Sequence, residues 1–383
     1  MPRTLIETLI ILKQTVGIEM NNISEFLFQL MKVALGNVDS VRIPSNINWK
    51  ELMEFAEIQG ISFVAFDGLQ KVLADSAVDN SSIISMDELM EWVGQTNRAE
   101  IAYKQYTSTL YKLVDLLTKH DIKVMVLKGY GCSLNYPIPE HRPCGDIDIF
   151  LYGNGAKADA LFAVELGIKS KQNEEKHSVF EFEGITIENH ACIINDNRYP
   201  SLAKLERILE EDAVNALYCE DINCYLPSIY TDSLYLPYHI ANHFVRGEAS
   251  IRQFVDWFMF VRRNHTKIDW DQVQRTAKDV GFYKFFCCMN GIIIDYLGAD
   301  SSCFPDWPRD YKLEKKVFDD ILTKKDTKDI SLFKKVVRFF SSSWKFRLVY
   351  NEKILITSFR QARAYALVKW NIGNRNVWEK NKE

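Results

Sequence analysis

The chain lacks most of the signals that place a protein at a glance. Its eight cysteines contain no C-x-x-C pair and no regular spacing, and Cys287 and Cys288 are adjacent, where a bridge between them is strained. That argues against a disulfide framework and for reduced, mostly buried thiols, as in the cytoplasm. No stretch approaches the roughly 20 uninterrupted apolar residues that a membrane span needs. Leu5–Leu12 is apolar but broken by Glu7 and followed by no small-residue cleavage pattern, so no signal peptide is expected. Basic charge is not in excess: 47 Lys and Arg stand against 51 Asp and Glu, a net charge of -4. Coating of nucleic acid by bulk electrostatics is thereby disfavoured, although a local basic patch is not. Internal repeats and low-complexity segments are absent as well. What is present is the composition of a soluble globular protein, 47% hydrophobic and 13% aromatic, in a chain of 383 residues, enough for two or three domains.

Apolar residues recur at helical spacing over Asn22–Leu35, Trp49–Gln59, Ser62–Leu73 and about Met86–Trp92, which marks residues 1–95 as a helical N-terminal unit poor in chemistry. Residues 96–198 read differently. A long amphipathic helix over Arg98–His120 leads to a strand at Lys123–Leu127 and a second strand opening at Asp146. A short helix over Asn154–Leu166 follows, then a hairpin of Val179–Glu183 and Ile185–His190 turning at Gly184. That order describes a small layer of helices on a sheet. Residues 199–383 return to helix, with Leu202–Leu217, Asp232–Val245, Gln253–Arg263, Trp270–Val280 and Tyr283–Leu297 in turn, and a break at Pro305 and Pro308. The fold class is α+β.

The chemistry concentrates in Val124–Leu151: an apolar strand, a Lys128-Gly129 turn, a loop with three prolines, and Asp146-Ile147-Asp148 opening the next strand. Asp146 and Asp148 share one face of that strand, and Ile147 and Ile149 share the other. Aspartate is depleted in β-branched, apolar strands, so something must compensate these charges. A divalent cation is the simplest answer, and an ion pair with Arg142 is the structural alternative. D-x-D spacing alone is common; Asp269-x-Asp271 recurs before an amphipathic helix, where capping explains it fully. By the same parity, Thr186, Glu188 and His190 share a face, so Glu188 becomes the third carboxylate if its strand lies beside Asp146 and Asp148. Glu181 and Glu183 are reserve candidates, and an ordinary exposed strand acid is the alternative for all three.

Leu127-Lys128-Gly129, Tyr136-Pro137, Arg142 and Gly145-Asp146-Ile147-Asp148-Ile149 resemble the signature of a bacterial family of uncharacterised nucleotidyltransferases within the DNA polymerase β-like superfamily. The resemblance is strong over Val124–His190. It implies a small mixed-sheet polymerase β-like core flanked by N-terminal and C-terminal helical domains. It also implies Asp146, Asp148 and Glu188 as ligands of Mg²⁺ (or Mn²⁺) that bridges a nucleoside triphosphate, and transfer of a nucleoside monophosphate to a hydroxyl. Lys128, Gly129 and Arg142 would line the nucleotide side. The chain departs from the superfamily pattern at Tyr130, where glycine or serine usually follows the turn.

A weaker similarity continues through His239-x-x-x-His243, Gly247 and Ile251–Trp257. The two histidines have a spacing that can bind metal, but no Glu stands at the H-E-x-x-H position, so a zinc-protease site is excluded. His243 and Arg252 are candidates for phosphate contact, with an inter-helix network including Asp256 as the alternative. From Ser331 onward twelve Lys and Arg face three Glu. Lys334, Lys335, Arg338, Lys345, Arg347, Arg360 and Arg363, interleaved with Phe339, Phe340, Trp344 and Tyr365, suit either a grip on RNA or a solvated helix face. The partners expected are an NTP and an acceptor that is a small molecule, an RNA or a protein, with no membrane. The other readings are a nucleotide-binding sensor without turnover, and a toxin–antitoxin-type modifier of tRNA or a protein hydroxyl.

Overall fold

A computed structural model describes residues 22–75, 84–173, 177–194, 199–323 and 342–351. Among the described residues three helices come first: α1 (Asn22–Ala34), α2 (Trp49–Ile58) and α3 (Ser62–Ala74). At Gly68 a Cβ would stand 2.1 Å from the Leu30 carbonyl oxygen, so only glycine lets α3 lie this close on α1. Ser85 then opens α4 (Met86–Lys119) with a reciprocal cap. Its hydroxyl accepts from the Glu88 N–H at 3.2 Å, while the Glu88 carboxylate accepts from the Ser85 N–H at 3.1 Å. At 34 residues α4 is about 50 Å long. Two helices were expected here, with a boundary at 95/96. One unbroken helix passes through that point, because the penalty of Gly94, about 1 kcal/mol, is small beside the burial of Trp92, Thr96 and Tyr103 around it.

The sheet has seven strands in the order β3-β4-β5-β2-β1-β7-β6. These are β1 (Met125–Leu127), β2 (Asp146–Phe150), β3 (Lys171–Asn173), β4 (His177–Phe182), β5 (Ile185–His190), β6 (Leu217–Cys219) and β7 (Cys224–Leu226). The pairs β2–β5 and β1–β7 are parallel and the rest antiparallel. Between them come the short α5 (Gly129–Ser133) and α6 (Gly155–Glu165). Val124, Val126, Ile147, Ile149 and Ile187 pack with Leu110, Leu113 and Leu117 of α4 and Phe162 of α6 into one core. Met125, Leu127 and Phe150, of opposite parity, join a second core with the helices of both ends of the chain.

The C-terminal helices among the described residues are α7 (Pro200–Asp212), α8 (Ile229–Arg246), α9 (Ile251–Asn264), α10 (Trp270–Val280), α11 (Tyr283–Leu297), α12 (Tyr311–Leu322) and α13 (Ser343–Tyr350). They pack directly on α1–α3: Phe28 lies 5.2 Å from Phe318 between ring centroids, and the Asn37 amide donates to the Leu297 carbonyl at 2.7 Å. The N-terminal helices and the C-terminal helices thus share one core rather than each closing its own. A helix was expected to run to Leu217, but α7 ends at Asp212. That carboxylate is taken by the hydroxyls of Ser228 and Thr231 at the start of α8, freeing the chain to form the β6–β7 hairpin. Among the described residues no helix is long and apolar enough to cross a membrane. All eight cysteines are free thiols.

Candidate active site

The two carboxylates of β2 are set by register on both sides. Antiparallel pairing puts Leu127 of β1 opposite Asp148, so the next residue, Lys128, drops its ammonium 3.0 Å from the Asp148 Oδ1. Parallel pairing puts Glu188 of β5 opposite Asp148 and Thr186 opposite Asp146. Side-chain oxygens of Asp146, Asp148 and Glu188 all lie within 4.8 Å of one another. Two residues beyond Glu188, His190 turns its Nε2 to Asp148 at 2.9 Å and to Glu188 at 3.4 Å. His177, opposite His190 across β4–β5, points its own Nε2 at Glu188 at 3.6 Å.

The turn into α5 is strained. Lys128 adopts φ 52° and Gly129 φ 36°, both left-handed, and a Cβ on Gly129 would stand 2.5 Å from the Tyr106 hydroxyl. That hydroxyl is buried with no hydrogen-bond partner among the described residues. Gly129→Ala should therefore cost at least about 1–2 kcal/mol, and Tyr106→Phe, which removes the clashing oxygen and leaves the ring carbon at 3.6 Å, should restore part of it. Thermal unfolding of the two single variants and the double variant checks this; additive losses would show that the hydroxyl is not the obstacle.

The electrostatics divide the acids. Burial alone would raise the Asp148 carboxyl, which is 2% exposed, but Lys128 and the His190 hydrogen bond overcome it and hold the group well below the ordinary range. Burial pushes the Asp146 carboxyl up, and the neighbouring Asp148 charge adds to it. Glu188 is pulled down, chiefly by the His190 imidazole 3.4 Å away. Burial opposes the charged forms of Lys128 and His190, yet the carboxylates outweigh it and raise both.

Across from β2, α8 presents Leu236, His239, Ile240 and His243 on one face. These close a cavity of about 370 Å³ whose other walls are Lys128, Gly129, Asp146, Asp148, the Arg142–Gly145 loop, Arg252 and Asp256. The rings of His239 and His243 meet edge to face with centroids 4.3 Å apart. Burial first, then Lys128, lowers both; His243 comes down to about 4, with Arg246 and Arg252 contributing, so its imidazole is neutral at pH 7. Its Nδ1 lies 3.4 Å from Glu248 in an orientation that makes no hydrogen bond. Arg252 lines the cavity and donates to the Pro143 carbonyl at 3.3 Å.

Several expected residues stand elsewhere or do other work. Arg142 does not pair with the β2 aspartates. Its guanidinium donates to both oxygens of Asp256 on α9 at 2.9 Å, and to the Pro143 carbonyl and Cys144 sulfur, which leaves little to offer a phosphate. Tyr136 donates to the same Asp256 at 2.7 Å. His141 ties the loop down from the other side, its ring nitrogens 2.8 Å from Asp67 on α3 and 3.2 Å from Glu100 on α4. Arg142 is thus a positioning residue for the loop that delivers Asp146. Glu181 lies one strand further out and accepts from Thr186, while Glu183 sits in the hairpin turn at φ 51° and pairs with Lys112. Asp269 caps α10 by accepting from the Gln272 N–H. Of the basic tail, Lys334, Lys335, Arg338, Phe339, Phe340, Arg360, Arg363 and Tyr365 lie outside the described residues. Lys345 is neither solvated nor free for RNA: its buried ammonium pairs with Asp320. His190 and His177 were not singled out from the sequence, although His190 has the parity of Glu188.

The sequence model of a family described as uncharacterised nucleotidyltransferase matches residues 45–298, about two thirds of the chain, and the chain belongs to that family. No curated protein and no solved structure matches it.

Proposed function

We propose that this member of the uncharacterised nucleotidyltransferase family moves a nucleoside monophosphate from an NTP to a hydroxyl acceptor, with Mg²⁺ held by Asp146, Asp148 and Glu188. The observation that carries the reading is the convergence of those three carboxylates from adjacent parallel strands, two of which, Asp146 and Asp148, line the 370 Å³ cavity. The donor set suits a hard divalent ion: all-oxygen ligands, with charge that Lys128 and His190 only partly balance. An ion held there would supply charge neutralisation to a triphosphate and Lewis acidity to an acceptor hydroxyl.

The chain's own residues do the rest. Lys128 and Arg252 give the cavity two cations for phosphate oxygens, and the neutral rings of His239 and His243 can donate to such oxygens without adding charge. The loop held by Asp256, Asp67 and Glu100 fixes the entry of β2, so that Asp146 and Asp148 need no rearrangement to meet a ligand. A triphosphate beside His243 would replace a field of cations by one of anions. Its ring should then titrate well above 4 once NTP is bound, read from imidazole proton shifts against pH; an unmoved titration at saturation removes His243 from the nucleotide site.

The activity itself is tested by incubating the protein with each α-labelled NTP, Mg²⁺ and a panel of sugars, tRNA and proteins. Label transfer with pyrophosphate release, lost in Asp146→Asn, is the expected result. Wild type indistinguishable from Asp146→Asn across the panel would overturn it, and NTP binding without pyrophosphate release would point to a sensor.

A further inference from the structure

We infer that His177, Glu188 and His190 form a second metal site of imidazole and carboxylate ligands, taking a borderline-soft divalent ion of the Zn²⁺ or Co²⁺ type. It extends the proposed function and touches it through Glu188, which belongs to both ligand sets, and through His190, whose Nε2 also bonds Asp148.

The geometry is specific. The two histidines are directly opposed across the antiparallel β4–β5 pair, and their rings lie nearly parallel with centroids 5.1 Å apart. Both bring Nε2, not Nδ1, near the same Glu188 oxygen, at 3.6 Å for His177 and 3.4 Å for His190, whose Nε2 also lies 2.9 Å from Asp148. Neither distance is a good hydrogen bond. Both are close to the ~3.3 Å edge of a tetrahedron built on metal bonds of about 2.0–2.1 Å. Ligand atoms of all three residues fall within 4.8 Å of one another, and all three side chains are half-buried rather than splayed into solvent.

Ligand type decides the ion. Imidazole suits zinc, cobalt and their neighbours, whereas Mg²⁺ takes oxygen. Three protein ligands leave one position of a tetrahedral ion open, as in sites that hold a water or a substrate oxygen. With two oxygens, Glu188 can serve an oxygen-bound ion beside Asp146 and Asp148 with one and the imidazole-bound ion with the other. The competing account makes both imidazoles mere partners of the acids, His190 to Asp148 above all.

Co²⁺ titrated into the metal-stripped full chain, without nucleotide, separates the two. The expected result is a visible absorption band that saturates near one equivalent, together with paramagnetically shifted imidazole N–H resonances from both histidines. His177→Ala and His190→Ala should each weaken Co²⁺ binding at least about tenfold, while Asp146→Asn keeps the band. Should His190→Ala fail to fold, the more peripheral His177→Ala carries the test, with far-ultraviolet circular dichroism as its control. A silent Co²⁺ titration, or a band that survives in a folded His177→Ala protein, would overturn the inference. Loss of nucleotide transfer in wild type with the Co²⁺ band intact would instead sink the transferase reading alone.

Discussion

Asp148→Asn should lower the stability of the protein by about 3–5 kcal/mol, whereas Asp146→Asn, two residues away, should leave it unchanged or slightly higher. Both should reduce nucleotide transfer by at least about 10²–10³-fold. The difference follows from what each carboxylate touches. Asp148 is buried between Lys128 and His190, so neutralising it strands an ammonium that is itself only 17% exposed. Asp146 makes no such contact: the like charges of Asp148 and Glu188 act on it against the more distant charge of Lys128, and its residue is exposed. The pH dependence carries the same signs. Asp148, depressed in the folded state, contributes stability above the ordinary 3.8 that is lost as pH falls through its folded value. Asp146, raised in the folded state, contributes below 3.8 and loses that as pH rises through its folded value, so at pH 7 its charge is a small liability. Chemical denaturation at pH 7 with a parallel transfer assay checks both. Equal destabilisation by the two variants would mean that the Lys128–Asp148 contact does not organise the site.

How much of this was legible beforehand varies with the range of the interaction. Alternation along a strand has period two, so the shared face of Asp146 and Asp148, and of Glu188 and His190, could be read directly. The pairing of β2 with β5 could not, because parallel neighbours are joined through a crossover whose partner strand no local pattern names. The place of His177 lay between these cases. Glu183 and Gly184 both have positive φ, 51° and 79°, the conformation of a two-residue hairpin turn. Taking both as the turn, rather than Gly184 alone, sets Phe182 against Ile185 and so His177 against His190. The β6–β7 hairpin has only three residues in each strand, too short for periodicity to show. The partner of Arg142 was the hardest: Asp256 is 114 residues away, and a charge near an aspartate pair looks like its counter-ion until the tertiary contact is seen.

That contact gives the second large effect. Asp256→Ala should cost about 3–5 kcal/mol, since it leaves the Arg142 guanidinium, 4% exposed, buried without its counter-charge and strips the Tyr136 hydroxyl of its acceptor. A lost charge pair and a lost apolar fill can be told apart. Replacing the three groups together by shapes of similar volume, Tyr136→Phe, Arg142→Met and Asp256→Leu, should recover most of the stability, because a buried ion pair is seldom better than good apolar packing. The same triple variant settles what Arg142 does for the nucleotide. If its work is to hold the Arg142–Gly145 loop, and through it the start of β2, a well-packed apolar bridge keeps the loop in place and KM for NTP moves by no more than about threefold. If the guanidinium instead bound phosphate directly, its removal would cost a charge-assisted hydrogen bond of about 1.5–3 kcal/mol and raise KM roughly 10- to 100-fold. Measuring KM and unfolding free energy on the triple variant and on Asp256→Ala decides between loop anchor and phosphate ligand, and the four bonds already made by Arg142 favour the anchor.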